Sequence, residues 1–184
     1  MILSNSNQRY SLLTIWIHWT VFLLIVAIYA TIELREFFPK GSDPRNALKT
    51  WHFMLGLSVL ALVWIRLAAV AVSKIPQIIP EPPHWQTLAA KATHGLLYLL
   101  MIVMPILGWM LLSASGKPIP FFSLELPSLI GESTTWAETL KEIHEIGGTI
   151  GYFLIGLHAT AGLFHHYVMR DNTLVRMLPK RDEV

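Results

Sequence analysis

The sequence contains no cysteine and few charged residues, and each shortage excludes classes of protein. Without cysteine there is no disulfide, thiolate metal site, iron–sulfur cluster or cysteine nucleophile. Charged residues make up 14% of the chain, whereas an ordinary soluble protein has about 25%. The net charge of +2 gives no indication of nucleic-acid binding. Hydrophobic residues account for 53% of the 184 positions, so the composition predicts a membrane protein.

Four apolar stretches are each long enough for a helix to cross the hydrocarbon layer of a bilayer, which takes about 20 residues. They cover about residues 12–32, 52–72, 92–113 and 146–169. Each is too long for a strand of a membrane barrel and lacks the two-residue alternation of such a strand. The sequence therefore predicts an all-α fold, in which residues 1–184 form one integral membrane domain, a four-helix bundle in the lipid bilayer.

Lysine and arginine are slightly more frequent on the side of the bilayer that would hold both termini. Eight of them fall on that side, including Lys180 and Arg181, and six fall on the other. Cytoplasmic segments of membrane proteins carry the excess of positive charge, so we expect both termini in the cytoplasm. We call the side of the termini inner and the opposite side outer.

Most of the eight histidines lie in or beside the spans, where an unpaired and unligated histidine is costly. The four spans contain no Asp or Glu, which counts against a carboxylate proton relay or a cation transporter. Neutral imidazole is an axial ligand of haem iron, and a helical bundle with inward-facing ligands can enclose a haem. A haem-free bundle, with histidines that only bind neighbouring helices, is the alternative.

The spacing of the histidines indicates two sites at different depths. His144 and His158 are fourteen residues apart, which places them on nearly one helix face and about 21 Å apart along the axis. That separation suits two cofactors stacked across a bilayer better than two ligands of one metal ion. His52 begins the second span on the outer side, so it pairs by depth with His144.

The partner of His18, in the inner half of the first span, is less well defined by depth. His158, His165 and His94 are all candidates. His158 is favoured over His165, because a site at His165 would lie about 31 Å from His144, the full thickness of the membrane.

Several glycines follow these histidines by four or seven residues and so share their helix face, where a flat macrocycle can approach the backbone. They are Gly56, Gly148, Gly151 and Gly162. Ordinary close packing of membrane helices is the alternative explanation.

Short motifs are spread along the whole chain. They are Tyr10-Ser11 with Ile17-His18-Trp19, Trp51-His52 with Gly56, Ala92-Thr93-His94-Gly95 with Tyr98, Gly156-Leu157-His158, His165-His166-Tyr167, and the tail Asp171-Asn172-Thr173-Leu174 with Arg176-Met177. With these motifs the chain resembles the bacterial cytochrome b-561 family, two-haem membrane cytochromes linked to quinones. The tail and Phe37-Phe38-Pro39 resemble most the branch of the family that takes electrons from superoxide and passes them to ubiquinone.

The resemblance implies two b-type haems in a bacterial inner membrane. It implies that His18 and His158 ligate the iron of the inner haem, and that His52 and His144 ligate the iron of the outer one.

Three further residues near the inner ends of the spans are candidates for cofactor binding. The resemblance suggests a quinone site at His165, and a histidine titrates in the range needed to supply a proton to a reduced quinone. Arg66 is a candidate to bind a haem propionate, and His94 to help hold that haem or line the quinone cavity. The alternatives are interfacial hydrogen bonding for His165 and an Arg66 side chain that reaches the lipid headgroups.

Superoxide is a small anion, so an outer site for it needs local positive potential. The candidate steering residues are Lys40, Lys49, Arg35 and Lys117. They lie among acidic residues, and a solvated surface of mixed charge is the alternative for each of them.

The function that the resemblance implies is a superoxide:quinone oxidoreductase that oxidises superoxide at the outer, periplasmic face and reduces ubiquinone near the inner haem. The alternative is a cytochrome b electron-transfer subunit, which links a dehydrogenase or hydrogenase to the quinone pool. That alternative requires a redox partner protein on the outer surface.

Overall fold

The structure, a computed structural model, describes residues 9–179. Lys180 and Arg181, which contribute to the charge asymmetry above, lie outside this range. Four long helices dominate the fold: α1 Leu12–Leu34, α2 Asp43–Val72, α3 His84–Ala114 and α4 Thr134–Phe164. Two short strands between α3 and α4, β1 Ile119–Phe121 and β2 Leu124–Leu126, form an antiparallel hairpin. Shorter helical turns cover Arg35–Phe37 (3-10), His165–Met169 (π) and Val175–Met177 (3-10).

Local sequence accounts for where the helices begin. The side chains of Ser11 and Ser133 accept hydrogen bonds from backbone N–H groups in the first turns of α1 and α4, at 3.2 and 3.3 Å. Pro44 lies in the first turn of α2, where a missing N–H has no cost. The proline-rich connector ends at Pro83, and α3 begins at the next residue. Helices α2, α3 and α4 therefore begin before their predicted apolar spans, whereas α4 ends at Phe164 and a π-helical turn covers the remainder of the fourth span.

The helices pack in sequence order, α1 against α2, α2 against α3 and α3 against α4. All four are long and apolar enough to cross a membrane. Large apolar side chains along them are exposed, such as Phe153 and Leu23 at 75% and 64%, as expected for helix faces that contact lipid. The prediction of an all-α bundle of four membrane-spanning helices is confirmed, with the hairpin as a small addition.

Two clusters of buried side chains mark the two ends of the bundle. We call the end that holds the start of α1 and the end of α4 the terminal side, where Ile17, Val21 and Ala69 pack together. The opposite end is the hairpin side, where Leu57 and Leu112 pack against Ile119 of β1. The hairpin thus packs against the middle of α2 and the end of α3.

Candidate functional site

Four histidines face one another in two pairs, one near each end of the bundle. On the terminal side, the ring centres of His18 in α1 and His158 in α4 lie 6.2 Å apart, with an angle of 76° between the rings. On the hairpin side, His52 in α2 and His144 in α4 lie 6.1 Å apart, with an angle of 72°. Both pairs thus join α4 to a helix of the α1–α2 half, at two levels of the bundle.

The separation within each pair fits one metal ion held between two imidazoles. When each nitrogen binds the ion through a bond of about 2 Å and lies about 1 Å from its own ring centre, the ring centres are about 6 Å apart. Among residues 9–179, no three His, Cys, Asp or Glu side chains form a cluster that could hold a metal ion. The arrangement suits a haem, whose iron takes one axial ligand on each face.

A backbone contact orients one of these rings. Nδ1 of His52 lies 3.2 Å from the carbonyl oxygen of Ile28. When Nδ1–H donates to that oxygen, Nε2 keeps its lone pair for a metal ion, as in most metal-binding histidines. The ring of His144 packs under α3, since a Cβ added at Gly108 would lie 3.3 Å from its Cε1 atom.

The bundle also leaves space beside the paired histidines. Neither α1 nor α2 packs closely along α4 in the part of the chain that the structure describes. A Cβ added at Gly56, Gly148 or Gly162 would meet no neighbouring atom within 4 Å, which fits the predicted approach of a macrocycle. Gly151 differs from this prediction, because the hydroxyl of Tyr29 already fills the space that a Cβ would need.

His94 and Arg66 lie beside the terminal-side pair. The ring centre of His94 is 5.3 Å from that of His158, which is shorter than the spacing expected when a metal ion separates two rings. Arg66 interacts electrostatically with His18, His94 and His158, and its guanidinium lies 6.0 Å from the ring centre of Tyr98. One terminal nitrogen of Arg66 is buried without a hydrogen-bond partner among the described residues, so it is available to an anionic group.

His165 begins the π-helical turn after α4, and its Nδ1 atom lies 2.5 Å from Oδ2 of Asp171. The carboxylate is almost fully buried, with 2% of the Asp171 side chain exposed. Burial alone raises the pKa of Asp171, but the hydrogen bonds from His165 and from the backbone N–H of Thr173 outweigh it and hold that pKa below its ordinary value. His166 instead packs its ring against Tyr167.

Three of the four predicted steering residues share one region on the hairpin side. Lys49 interacts electrostatically with Arg35 and Lys117, and Arg35 also acts on His52. Glu36 offsets part of this positive charge, because it forms ion pairs of 2.9 Å with Arg35 and Arg45. Lys40 lies on the turn before α2; no contact described for residues 9–179 joins it to the other three.

Three residues of the site were not predicted from the sequence: Asp171, Arg176 and Tyr29. Asp171 and Arg176 belong to motifs of the tail, but no helical spacing relates the tail to α4, so their contacts depend on how the chain folds back. Tyr29 donates a 2.8 Å hydrogen bond to the carbonyl of Gly148. That carbonyl lies on α4 between the two histidine levels. No feature of the sequence predicted that Tyr29 would contact it.

A membrane-spanning four-helix bundle with facing histidines at both ends has the architecture of a membrane cytochrome. The chain belongs to the prokaryotic cytochrome b561 family, whose pattern matches residues 9–180. The resemblance stated from the motifs is confirmed. Family membership and the four apolar helices together make this an integral membrane protein of electron transport with b-type haem.

Similar proteins are named either as cytochromes or as a probable superoxide oxidase. Cytochrome b561 homolog 1 of Escherichia coli strain K12 is 39% identical over 174 residues, which cover 95% of this chain and 99% of that protein. The probable superoxide oxidase CybB of Yersinia pestis is also 39% identical, over 95% of this chain and 98% of that protein. Cytochrome b562 of Cereibacter sphaeroides is 27% identical, over 96% of this chain and 99% of that protein.

Proposed function

We propose that this protein is a superoxide:ubiquinone oxidoreductase with two b-type haems. His18 and His158 hold the haem on the terminal side, and His52 and His144 hold the haem on the hairpin side. Bound haem supplies reversible one-electron transfer at each site. Two superoxide anions each lose one electron and leave as O2, while one ubiquinone takes up two electrons and two protons.

The observation that carries the proposal is that the two histidine pairs have nearly equal separations between ring centres, 6.2 and 6.1 Å. Helix α4 contributes one histidine to each pair. His144 and His158 both lie within α4, so the two sites are about 21 Å apart along the helix axis. Two sites at different levels suit electron transfer across a bilayer. They also suit a donor that gives one electron and an acceptor that needs two, since two haems can store both electrons.

The charges of the hairpin side support superoxide as the donor. Lys49, Arg35 and Lys117 are close enough to interact, and local positive charge raises the rate at which a small anion reaches a site. The name of the similar Yersinia pestis protein, probable superoxide oxidase, points the same way. We place the hairpin side in the periplasm and both termini in the cytoplasm of a bacterial inner membrane.

The terminal side supports a quinone site beside the haem. The unpartnered nitrogen of Arg66 suits a haem propionate, because a buried guanidinium without an anion is costly. His94 lines the space next to His158. His165 follows α4 on the same side, where 18% of its side chain remains accessible, and it supplies a proton to the reduced quinone.

Stopped-flow absorbance of the purified, oxidised protein tests this function. The protein is mixed with superoxide, with and without excess ubiquinone, and the b-type haem bands are followed. We expect the bands of reduced haem to appear rapidly and to decay only when ubiquinone is present. Lys49→Gln should slow the reduction of haem by superoxide. Lys40→Gln is its matched control, because of these two lysines only Lys49 belongs to the interacting group of cations.

Two other outcomes of this experiment would contradict the proposed function. A haem spectrum that superoxide leaves oxidised favours the electron-transfer subunit, whose partner protein should then co-purify with the chain. A folded preparation, supplied with haem, that shows no haem band would contradict both functions.

A further inference from the structure

The chain folds back sharply after the π-helical turn and returns along the terminal side of the bundle. Arg170 has a left-handed backbone, with φ of 56°, and the N–H of Asp171 donates to the carbonyl of His165 at 3.1 Å. Asn172 then binds the α2–α3 connector, since its side-chain oxygen accepts from the N–H of Ile79 at 2.9 Å. Its amide nitrogen donates to the carbonyl of Gln77 at 3.2 Å. These two hydrogen bonds of Asn172 fix the position of the chain directly after Asp171.

A second group of contacts anchors the tail further on. Arg176 is buried, with 7% of its surface exposed, and donates to the carbonyl of Pro76. Its guanidinium lies 5.7 Å from the ring centre of Tyr10, whose N–H donates to the Arg176 carbonyl at 3.1 Å. Trp19 donates from its indole to the carbonyl of Met177 at 2.8 Å. The tail is therefore held on α1 and on the α2–α3 connector.

The result of this fold-back is a carboxylate fixed against His165. Both oxygens of Asp171 have partners, because Oδ2 contacts Nδ1 of His165 at 2.5 Å and Oδ1 accepts from the N–H of Thr173 at 2.8 Å. A buried carboxylate needs such charge-assisted hydrogen bonds. The other charged and titratable groups that the described contacts place near Asp171 are Arg176 and Tyr10. Arg176 also interacts electrostatically with His94.

We propose that Asp171 is a positioning residue for proton transfer from His165 to ubiquinone; the proposal rests on the function proposed above. Asp171 keeps a proton on Nδ1 of His165 and fixes the ring, so Nε2 faces away from the carboxylate. As ubiquinone accepts electrons, the Nε2–H bond of the imidazolium breaks and an O–H bond forms on a quinone oxygen. His165 remains neutral with its proton on Nδ1, and a proton taken up from bulk solvent on the terminal side restores the Nε2–H group.

The test uses the full chain with its haem and a short-chain ubiquinone in a stopped-flow instrument. Asp171→Asn keeps the shape of the side chain but removes its charge. We expect superoxide to reduce the haem of this variant at the wild-type rate, and ubiquinone to reoxidise it about tenfold more slowly, which is the lower end of the effect of losing a residue that orients a metal-binding histidine. Asp43→Asn, at the start of α2 on the hairpin side, is the matched control and should leave the rate of reoxidation by ubiquinone unchanged.

Two further measurements separate positioning from a structural role. In His165→Gln, adding Asp171→Asn should cause no further loss, because Asp171 acts through His165. In protein with 15N-labelled histidine, the NMR signal of a protonated Nδ1 should be present in wild type and lost or shifted in Asp171→Asn.

Each contrary result has a distinct meaning. Reoxidation of Asp171→Asn at the wild-type rate would overturn the positioning role while leaving the proposed function intact. Loss of haem, or equal slowing of both rates, would show that Asp171 only stabilises the fold. Wild-type protein that superoxide reduces but ubiquinone does not reoxidise would contradict the proposed function itself.

Discussion

Tyr29 joins α1 to α4 at a level between the two histidine pairs, where the two helix backbones do not pack closely. Its hydroxyl donates a 2.8 Å hydrogen bond to the carbonyl of Gly148, and its ring lies 4.2 Å from that of Tyr152. Gly151 makes this contact possible, because a Cβ there would collide with the Tyr29 hydroxyl and lie 3.2 Å from a methyl group of Leu100. Gly151→Ala should therefore destabilise the bundle.

The size of the effect follows from three contributions. Loss of the Tyr29 hydrogen bond costs about 1 kcal/mol, and an extra methyl group in a filled space costs about 1–3 kcal/mol. Alanine regains about 1 kcal/mol over glycine within a helix. The free energy of unfolding should therefore fall by about 2 kcal/mol, and the unfolding midpoint by about 4–8 °C for a chain of this length.

Thermal unfolding in detergent, followed by circular dichroism, measures this change. Gly156→Ala is the matched control on the same helix, because a Cβ there meets no atom within 4 Å; it should leave the midpoint unchanged or raise it. Combining Gly151→Ala with Tyr29→Phe should cost less than the sum of the two single changes, because the colliding hydroxyl is gone. A Gly151→Ala variant as stable as Gly156→Ala would contradict the predicted collision with Tyr29.

Three other outcomes are expected. The pKa of Asp171 is lower in the folded chain than its ordinary value of 3.8, so its contribution to stability is present above that pH and is lost as pH falls through the folded pKa. The difference in unfolding midpoint between wild type and Asp171→Asn should accordingly shrink on acidification; a constant difference contradicts this. Lys49→Gln should slow haem reduction by superoxide several-fold and weaken its dependence on ionic strength, whereas Lys40→Gln should change both less; equal effects would remove Lys49 from the steering group. Gly108→Ala should shift the midpoint potential of one haem only, because its Cβ would lie 3.3 Å from His144; a redox titration with both potentials unchanged would contradict that contact.

The pattern of four long apolar stretches predicted the bundle, because a membrane-spanning helix needs only sufficient length and apolar composition. It also predicted a level shared by His52 and His144, since both lie near the same ends of their spans. Depth alone left His18 with three candidate partners. In the structure His18 lies opposite His158, at the spacing that fits one metal ion between the two rings. His94 is too close to His158 for that arrangement.

The contacts of the tail could not be predicted in the same way. Asp171 and Arg176 lie beyond the last span, where no helical period relates a residue to its neighbours in space. Their positions depend on the left-handed turn at Arg170 and on hydrogen bonds to a connector about a hundred residues earlier in the chain. At Gly151 the structure fits the alternative of close packing, because the Tyr29 hydroxyl occupies the space that a Cβ would need; sequence spacing gives the face of a residue but not the side chain that covers it.

We propose that two histidine pairs hold two haems at opposite ends of the bundle. Haem quantification with a redox titration of wild type, His158→Ala and His144→Ala tests it most directly. We expect two b-type haems per chain in wild type, and one in each variant, with a different midpoint potential remaining in each. His158→Ala should keep the haem that superoxide reduces but lose electron transfer to ubiquinone. One haem per chain in wild type, or a His158→Ala variant that keeps both haems, would contradict the assignment.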